Sequence, residues 1–187
     1  MTTYAHQDLE LALEALSDSA LAATEYEVAR AVVIAATLAH RTIATAESLT
    51  AGLVAATIAS VPGASQVLRG GIVAYATEVK AELLDVPQAL LSRGGAVQPQ
   101  VAETMAAAAR RKLHADFGLG CTGVAGPDAQ DGHPVGEVHV AVAGPEAIRT
   151  HSLQLAGDRD AIRHGTALVV LGMLLDALLP LVDVQAS

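Results

Sequence analysis

Apolar residues recur along this chain in two rhythms. A spacing of three to four residues marks amphipathic helices, and short continuous runs mark buried strands. Leu9, Leu11, Leu13, Leu16 and Leu21 stand among acids and predict an amphipathic helix over residues 7–22. The same pattern predicts a second helix over 25–40. Residues 42–46 are short, apolar and partly β-branched, as in a buried strand. A helix over 51–60 follows, stopped by Pro62-Gly63. The next strand lies within 67–76, where Gly70-Gly71 predicts a bulge or a close backbone approach. Two short helices over 78–84 and 87–92 precede a longer one over 99–114 that starts on proline. Residues 117–124 read as a buried strand and 128–134 as a polar loop. A strand pair over 135–142 and 147–155 turns through Ala143-Gly144-Pro145-Glu146, and a long helix over 158–179 takes Asp158 as its N-cap. Alternating strands and helices followed by a hairpin predict an α/β layered domain with a mixed sheet.

Composition narrows the function classes. A chain of 187 residues can bury one sizeable core. Aromatic residues are only 2% and Trp is absent, so that core is built from Ala, Val, Leu and Ile. The scarcity of aromatics and a net charge of −9 argue against nucleic-acid binding, which needs stacking platforms and a basic footprint. A small anionic ligand needs only a local site. The single cysteine, Cys121, excludes an internal disulfide and reads as a buried thiol in an apolar run. The acids near the start do not suit a signal peptide. The apolar runs at 31–39 and 167–175 are too short to cross a bilayer, and Asp176 interrupts the second. A cytoplasmic, membrane-free protein is expected. The seven histidines are scattered and suggest no metal site.

Candidate chemistry concentrates in two segments. Thr45-Ala46-Glu47-Ser48-Leu49-Thr50-Ala51-Gly52 reads as a strand end turning into a helix, with Ser48 at the turn. A serine there is a helix N-cap in its commonest role. The capping-box partner is missing, since Ala51 sits where Glu or Gln would stand. The same serine could act as a nucleophile, with nearby N–H groups receiving an oxyanion. The glycines of the hydrolase elbow are absent, Ala46 and Thr50 taking their places. Tyr75-Ala76-Thr77-Glu78-Val79-Lys80 supplies a tyrosine at a strand end and a lysine shortly after. Tyr75 either relays a proton or marks a strand boundary with its hydroxyl satisfied. The chain has nine arginines and only two lysines, Lys80 and Lys112. Lys80 is therefore either an exposed ion-pair partner or a lysine placed where loss of a proton matters.

These segments, together with Gly70–Lys80 as a whole, residues 94–97, Thr122-Gly123-Val124-Ala125-Gly126-Pro127, Pro134-Val135-Gly136 and Gly157-Asp158-Arg159, occur in an order that resembles the C-terminal domain family of CinA, the competence-damage-inducible proteins. The resemblance covers about residues 25–180. It implies a three-layer α/β/α fold with a mixed, mostly parallel sheet, a helical extension over 1–24 and the family domain over 25–187. It also implies a nicotinamide mononucleotide (NMN) amidase that needs no cofactor and releases nicotinic acid mononucleotide and ammonia. Ser48 would be the nucleophile, Lys80 its base, and Tyr75 an aid to proton transfer. Gly52 and Arg159 would bind the nucleotide, Gly123 and Gly126 would let backbone N–H groups approach it closely, and Thr50 and Thr122 would donate hydroxyls to it or merely finish turns. Arg159 and Arg163, one turn apart, could face its phosphate together or pair with Asp158 and Asp160. The sequence departs from the family pattern at Leu49, Ala51, Ala76, Thr77 and Gln98, where Cys, Gly, Ser, Asn and Ser are usual. A homologue that binds a nucleotide or protein partner without turnover is the alternative. A homo-oligomer is expected, and 187 residues leave no room for the N-terminal domain of full-length CinA proteins.

Overall fold

The computed structural model describes residues 25–182. The helix expected over 7–22 lies outside the described residues. The first described helix, α1, covers Glu25–Leu38 and leads into strand β1, Ile43–Glu47. Helix α2 (Leu53–Ala59) connects to β2 (Leu68–Val73), and three helices follow: α3 (Thr77–Leu84), α4 (Gln88–Gly94) and α5 (Pro99–Lys112). Strands β3 (Phe117–Gly123), β4 (Glu137–Ala143) and β5 (Ile148–Gln154) precede the long helix α6, Arg159–Leu178. Asp158 caps α6 as the sequence predicts, its Oδ1 accepting from the Ala161 N–H at 2.9 Å.

The five strands lie in the order β2-β1-β3-β4-β5. β1 pairs in parallel with both β2 and β3, while β3–β4 and β4–β5 are antiparallel. β1, β2, β3 and β5 therefore point the same way and β4 alone opposes them. Opposite β1, β2 has one extra residue between Leu68 and Gly70, which is the bulge that Gly70-Gly71 predicts. The close approach is present too: a Cβ on Gly71 would lie 2.5 Å from Thr45 Oγ1.

The sheet separates two helical layers with different side-chain volumes. On one face Ile43, Leu119, Cys121, Val138, Val140 and Val142 pack with α1, α2 and α6 in a single apolar cluster. On the other face the strands present Ala44, Ala46, Ala141 and Ala143, which pack against the helices α3 to α5. Gly118 and Gly120 belong to this second face. A Cβ at Gly118 would fall 2.0 Å from the Ala106 carbonyl oxygen, and one at Gly120 would fall 2.2 Å from that of Ala102. Helix α5 thus rests its backbone directly on β3. A chain poor in aromatics closes this layer by approach rather than by bulk. Helix α6 is long and apolar enough by length and composition to cross a membrane, unlike the shorter run judged from sequence. Its apolar positions Ile162, Val170, Leu171, Leu174 and Leu178 are buried in the domain core instead.

Candidate active site

Chain order reverses at β1: the chain leaves to β2 on one side and returns to β3 on the other. In open α/β sheets, ligand clefts form outside the carboxyl ends of strands at such a switch point. A cleft lies there, lined by Ser48, Tyr75, Lys80, Ala96, Val97 and residues 122–126, with Asp128, Gln130 and Arg159 at its wall. Ser48 follows β1, Tyr75 follows β2, and Thr122 and Gly123 end β3. Three successive strand ends supply the cleft, which is why residues far apart in sequence meet.

Ser48 is not the N-cap of α2. That position belongs to Gly52, at φ 94°, and the helix begins at Leu53. Ser48 instead opens a tight turn, its N–H donating to Cys121 O of β3 at 3.0 Å and its carbonyl accepting from Ala51 N–H at 3.0 Å. The first amides of α2 are also not open to a ligand. The Glu47 carboxylate, only 1% exposed, accepts from the N–H groups of Gly52 (2.9 Å), Val54 (3.1 Å) and Ala55 (2.9 Å), and from Thr45 Oγ1 (3.0 Å). A buried carboxylate is stable there because it meets the orphan donors of a helix start. Among the described residues, every amide from Ser48 to Ala55 thus has a protein acceptor except those of Leu49 and Thr50. From the sequence, Glu47 stood only as a member of the segment 45–52, with no role of its own.

Ala51, where the family usually has Gly, takes φ 52° and keeps the turn in the left-handed region. Its methyl group is exposed. Ala51 thus occupies a conformation that glycine adopts freely. Arg163 reaches this turn from the second turn of α6. Nε donates to Leu49 O at 3.2 Å and Nη2 to Thr50 O at 3.1 Å, while Nη1 pairs with the exposed Asp160 at 3.3 Å.

Lys80 is not an exposed ion-pair partner. It is 1% exposed, and Nζ donates to Ala74 O at 2.9 Å and Tyr75 O at 3.0 Å. Burial lowers its pKa from 10.5 to about 8, with Glu78 opposing the shift. Tyr75 is 54% exposed, and its hydroxyl accepts from Arg159 Nη2 at 2.6 Å. Arg159 Nη1 donates to Gly126 O at 2.7 Å. Arg159 thus engages neither Asp158 nor Asp160 but spans the cleft between the β2 and β3 walls. Thr122 is buried and donates to Ala96 O at 2.7 Å, fixing the loop before α5 against β3. Gly123 (φ 156°) and Gly126 (φ 86°) line the cleft in conformations suited to glycine.

Thr50 and Gly52, expected to bind substrate, offer the cleft neither the Thr50 hydroxyl nor the Gly52 amide. Thr50 is fully buried and its hydroxyl has no hydrogen-bond partner among the described residues. Gly52 directs its amide to Glu47. Asp128 and Gln130 line the cleft although nothing in the sequence singled them out. Burial raises the Cys121 thiol well above its ordinary pKa, consistent with an inert core residue. His133 and His139, far apart in character along the chain, both meet Glu137 Oε1, at 2.9 and 3.3 Å.

A three-layer α/β/α domain in which Ser48, just after β1, and Lys80, buried in α3, line one cleft at the carboxyl ends of parallel strands defines the class. A sequence profile of the CinA C-terminal domain matches residues 25–178, and the chain belongs to that family. A CinA-like protein of Frankia casuarinae is 52% identical over 122 residues, which are 65% of this chain and 28% of that protein. A putative competence-damage inducible protein of a Geobacillus species is 49% identical over 128 residues, 68% of this chain and 31% of that protein. The chain spans about a third of the length of the curated relatives it matches. Among solved structures, the competence/damage inducible protein CihA of Agrobacterium tumefaciens superposes with a TM-score of 0.79 at 34% identity, covering 82% of this chain and 94% of that one. A competence or damage-inducible protein from Enterobacter asburiae gives 0.81 at 27% identity, covering 84% and 99%.

Proposed function

We propose that the chain is an amidohydrolase that hydrolyses the carboxamide of NMN by a serine–lysine mechanism, giving nicotinic acid mononucleotide and ammonia. The observation that carries this reading is Lys80: a buried lysine with a pKa near 8, lining the same cleft as Ser48. A deprotonated lysine amine keeps two N–H bonds and one lone pair. The carbonyls of Ala74 and Tyr75 take the two N–H bonds, which leaves the lone pair to accept the Ser48 proton.

Ser48 Oγ then attacks the carboxamide carbon. The carbonyl oxygen becomes an oxyanion, for which the amides of Leu49 and Thr50 are the unengaged donors of the turn. The proton held by Lys80 passes to the departing nitrogen, ammonia leaves, and water cleaves the acyl-enzyme with Lys80 again as base. Tyr75, accepting from Arg159, keeps its own O–H as a donor toward the cleft. Arg159 is the cationic group in the cleft wall for the phosphate.

Ammonia release from NMN, measured for wild type, Ser48→Ala and Lys80→Ala, tests the reading. Turnover by wild type that both substitutions abolish is expected. Turnover that survives Ser48→Ala would overturn the mechanism, and a folded wild type that binds NMN without turning it over would leave the ligand-binding alternative.

A further inference from the structure

The geometry of Arg163 assigns it a job beyond its ion pair. We propose that Arg163 is a positioning residue that holds the turn 48–51 so that the N–H groups of Leu49 and Thr50 face the oxyanion of a tetrahedral adduct at Ser48. This rests on the serine–lysine reading above.

Nε and Nη2 form one edge of the planar guanidinium, and that edge grips two successive carbonyls, Leu49 O and Thr50 O. A fork of two parallel N–H bonds fixes orientation as well as distance. The peptide that joins Leu49 to Thr50 has its oxygen on Arg163 and its N–H without a protein acceptor. In a trans peptide these two groups point in opposite directions, so fixing the oxygen aims the N–H. A cation on the oxygen also draws electron density toward it and makes the N–H of the same unit a stronger donor.

The rest of the turn is anchored independently. Cys121 O takes the Ser48 N–H, and the Glu47 carboxylate takes the amides of Gly52, Val54 and Ala55. Thr50 O also accepts the Leu53 N–H at 3.1 Å, whereas Arg163 is the only partner of Leu49 O among the described residues. Its partner Asp160 is 78% exposed at the side chain and adds little to hold it. The ion pair does not explain why Arg163 reaches across to the turn; the two carbonyls do.

The test compares the full chain with Arg163→Ala and Arg163→Lys, in NMN turnover and in the amide resonances of a 15N-labelled sample. Losing one oxyanion donor costs about 100- to 1,000-fold in kcat, and loosening a pair should cost about 10- to 100-fold. Arg163→Ala is expected to lower kcat in that range with KM changed by less than about threefold. Millimolar guanidinium ion should restore part of the lost kcat, and Arg163→Lys should fall between the two, because an ammonium cannot fork. The resonances of Leu49 and Thr50 should move while those of β4 and β5 stay. A rise in KM at unchanged kcat would make Arg163 a ligand contact and overturn the proposal. So would unmoved Leu49 and Thr50 resonances in either folded variant. If wild type does not hydrolyse NMN, the amidase reading fails by itself, and the resonances alone decide whether Arg163 sets these amides.

Discussion

Arg159 Nη2 and Tyr75 Oη meet at 2.6 Å across the mouth of the cleft, joining the loop after β2 to the start of α6. Through Nη1 the same guanidinium holds Gly126 O on the opposite wall. An exposed tyrosine is thereby held at the cleft that Ser48 and Lys80 also line, without being buried. Tyr75→Phe should lower kcat/KM by about 100-fold, the lower range for a group that transfers protons. Arg159→Ala should lower it further by raising KM. In a double-mutant cycle the two losses should add to less than their sum, since each removes the same contact. Fully additive losses would mean that the two residues act separately.

Lys80 ties activity to pH with a defined sign. If the neutral amine is the base, kcat/KM should rise with pH through about 8 and then level. Lys80→Arg should remove activity at every pH, because arginine keeps its proton. Stability runs with the same group. Between about 8 and the ordinary value of 10.5, the unfolded chain binds more protons than the folded one. Wild type should therefore gain stability over that window relative to Lys80→Met, with a constant difference below it. Urea midpoints at pH 7, 9 and 10 measure this. A wild-type deficit that does not shrink with rising pH would contradict a lowered lysine pKa.

Glu47 should be a stability residue with an indirect effect on activity. Glu47→Gln puts an NH2 group where two oxygens now accept three amides, leaving at least one buried donor facing another. A cost of about 2–3 kcal/mol is expected from hydrogen bonds to a charged group. Chemical denaturation gives the value directly. A change below about 0.5 kcal/mol would show that the carboxylate is not needed to hold α2.

Ala51 carries a left-handed φ that glycine adopts freely. Its methyl costs about 1 kcal/mol there, partly offset by glycine's greater freedom in the unfolded chain. Ala51→Gly should raise stability by up to about 1 kcal/mol and leave turnover within about threefold. A large gain in turnover would mean that the methyl group obstructs the site.

The strand ends were legible because each combines a short apolar run with a turn residue, as at Thr45 to Gly52 and Phe117 to Gly126. Asp158 was legible because N-capping is local. The roles of Glu47 and Arg163 were not, since both depend on which backbone groups a fold brings within reach. Arg163 stands a full domain's length from Leu49 in sequence and reads there as a phosphate contact beside Arg159 or as one half of a helical ion pair. Where the Thr50 hydroxyl and the Gly52 amide go was not legible for a related reason. The order of residues shows that they follow the serine, but not that the turn directs one into the core and the other onto a carboxylate. Lys80 lay between two readings until its burial could be seen.

Gly118 and Gly120 let α5 settle onto β3 with no side chain between them, and the segment leading into α5 carries Ala96 and Val97 of the cleft wall. Thr122 ties that segment to the same strand. One wall of the cleft therefore stands where the spacing of two layers puts it, and two absent side chains keep that spacing small. A substitution that pushes the layers apart would move that wall without altering Ser48, Tyr75 or Lys80.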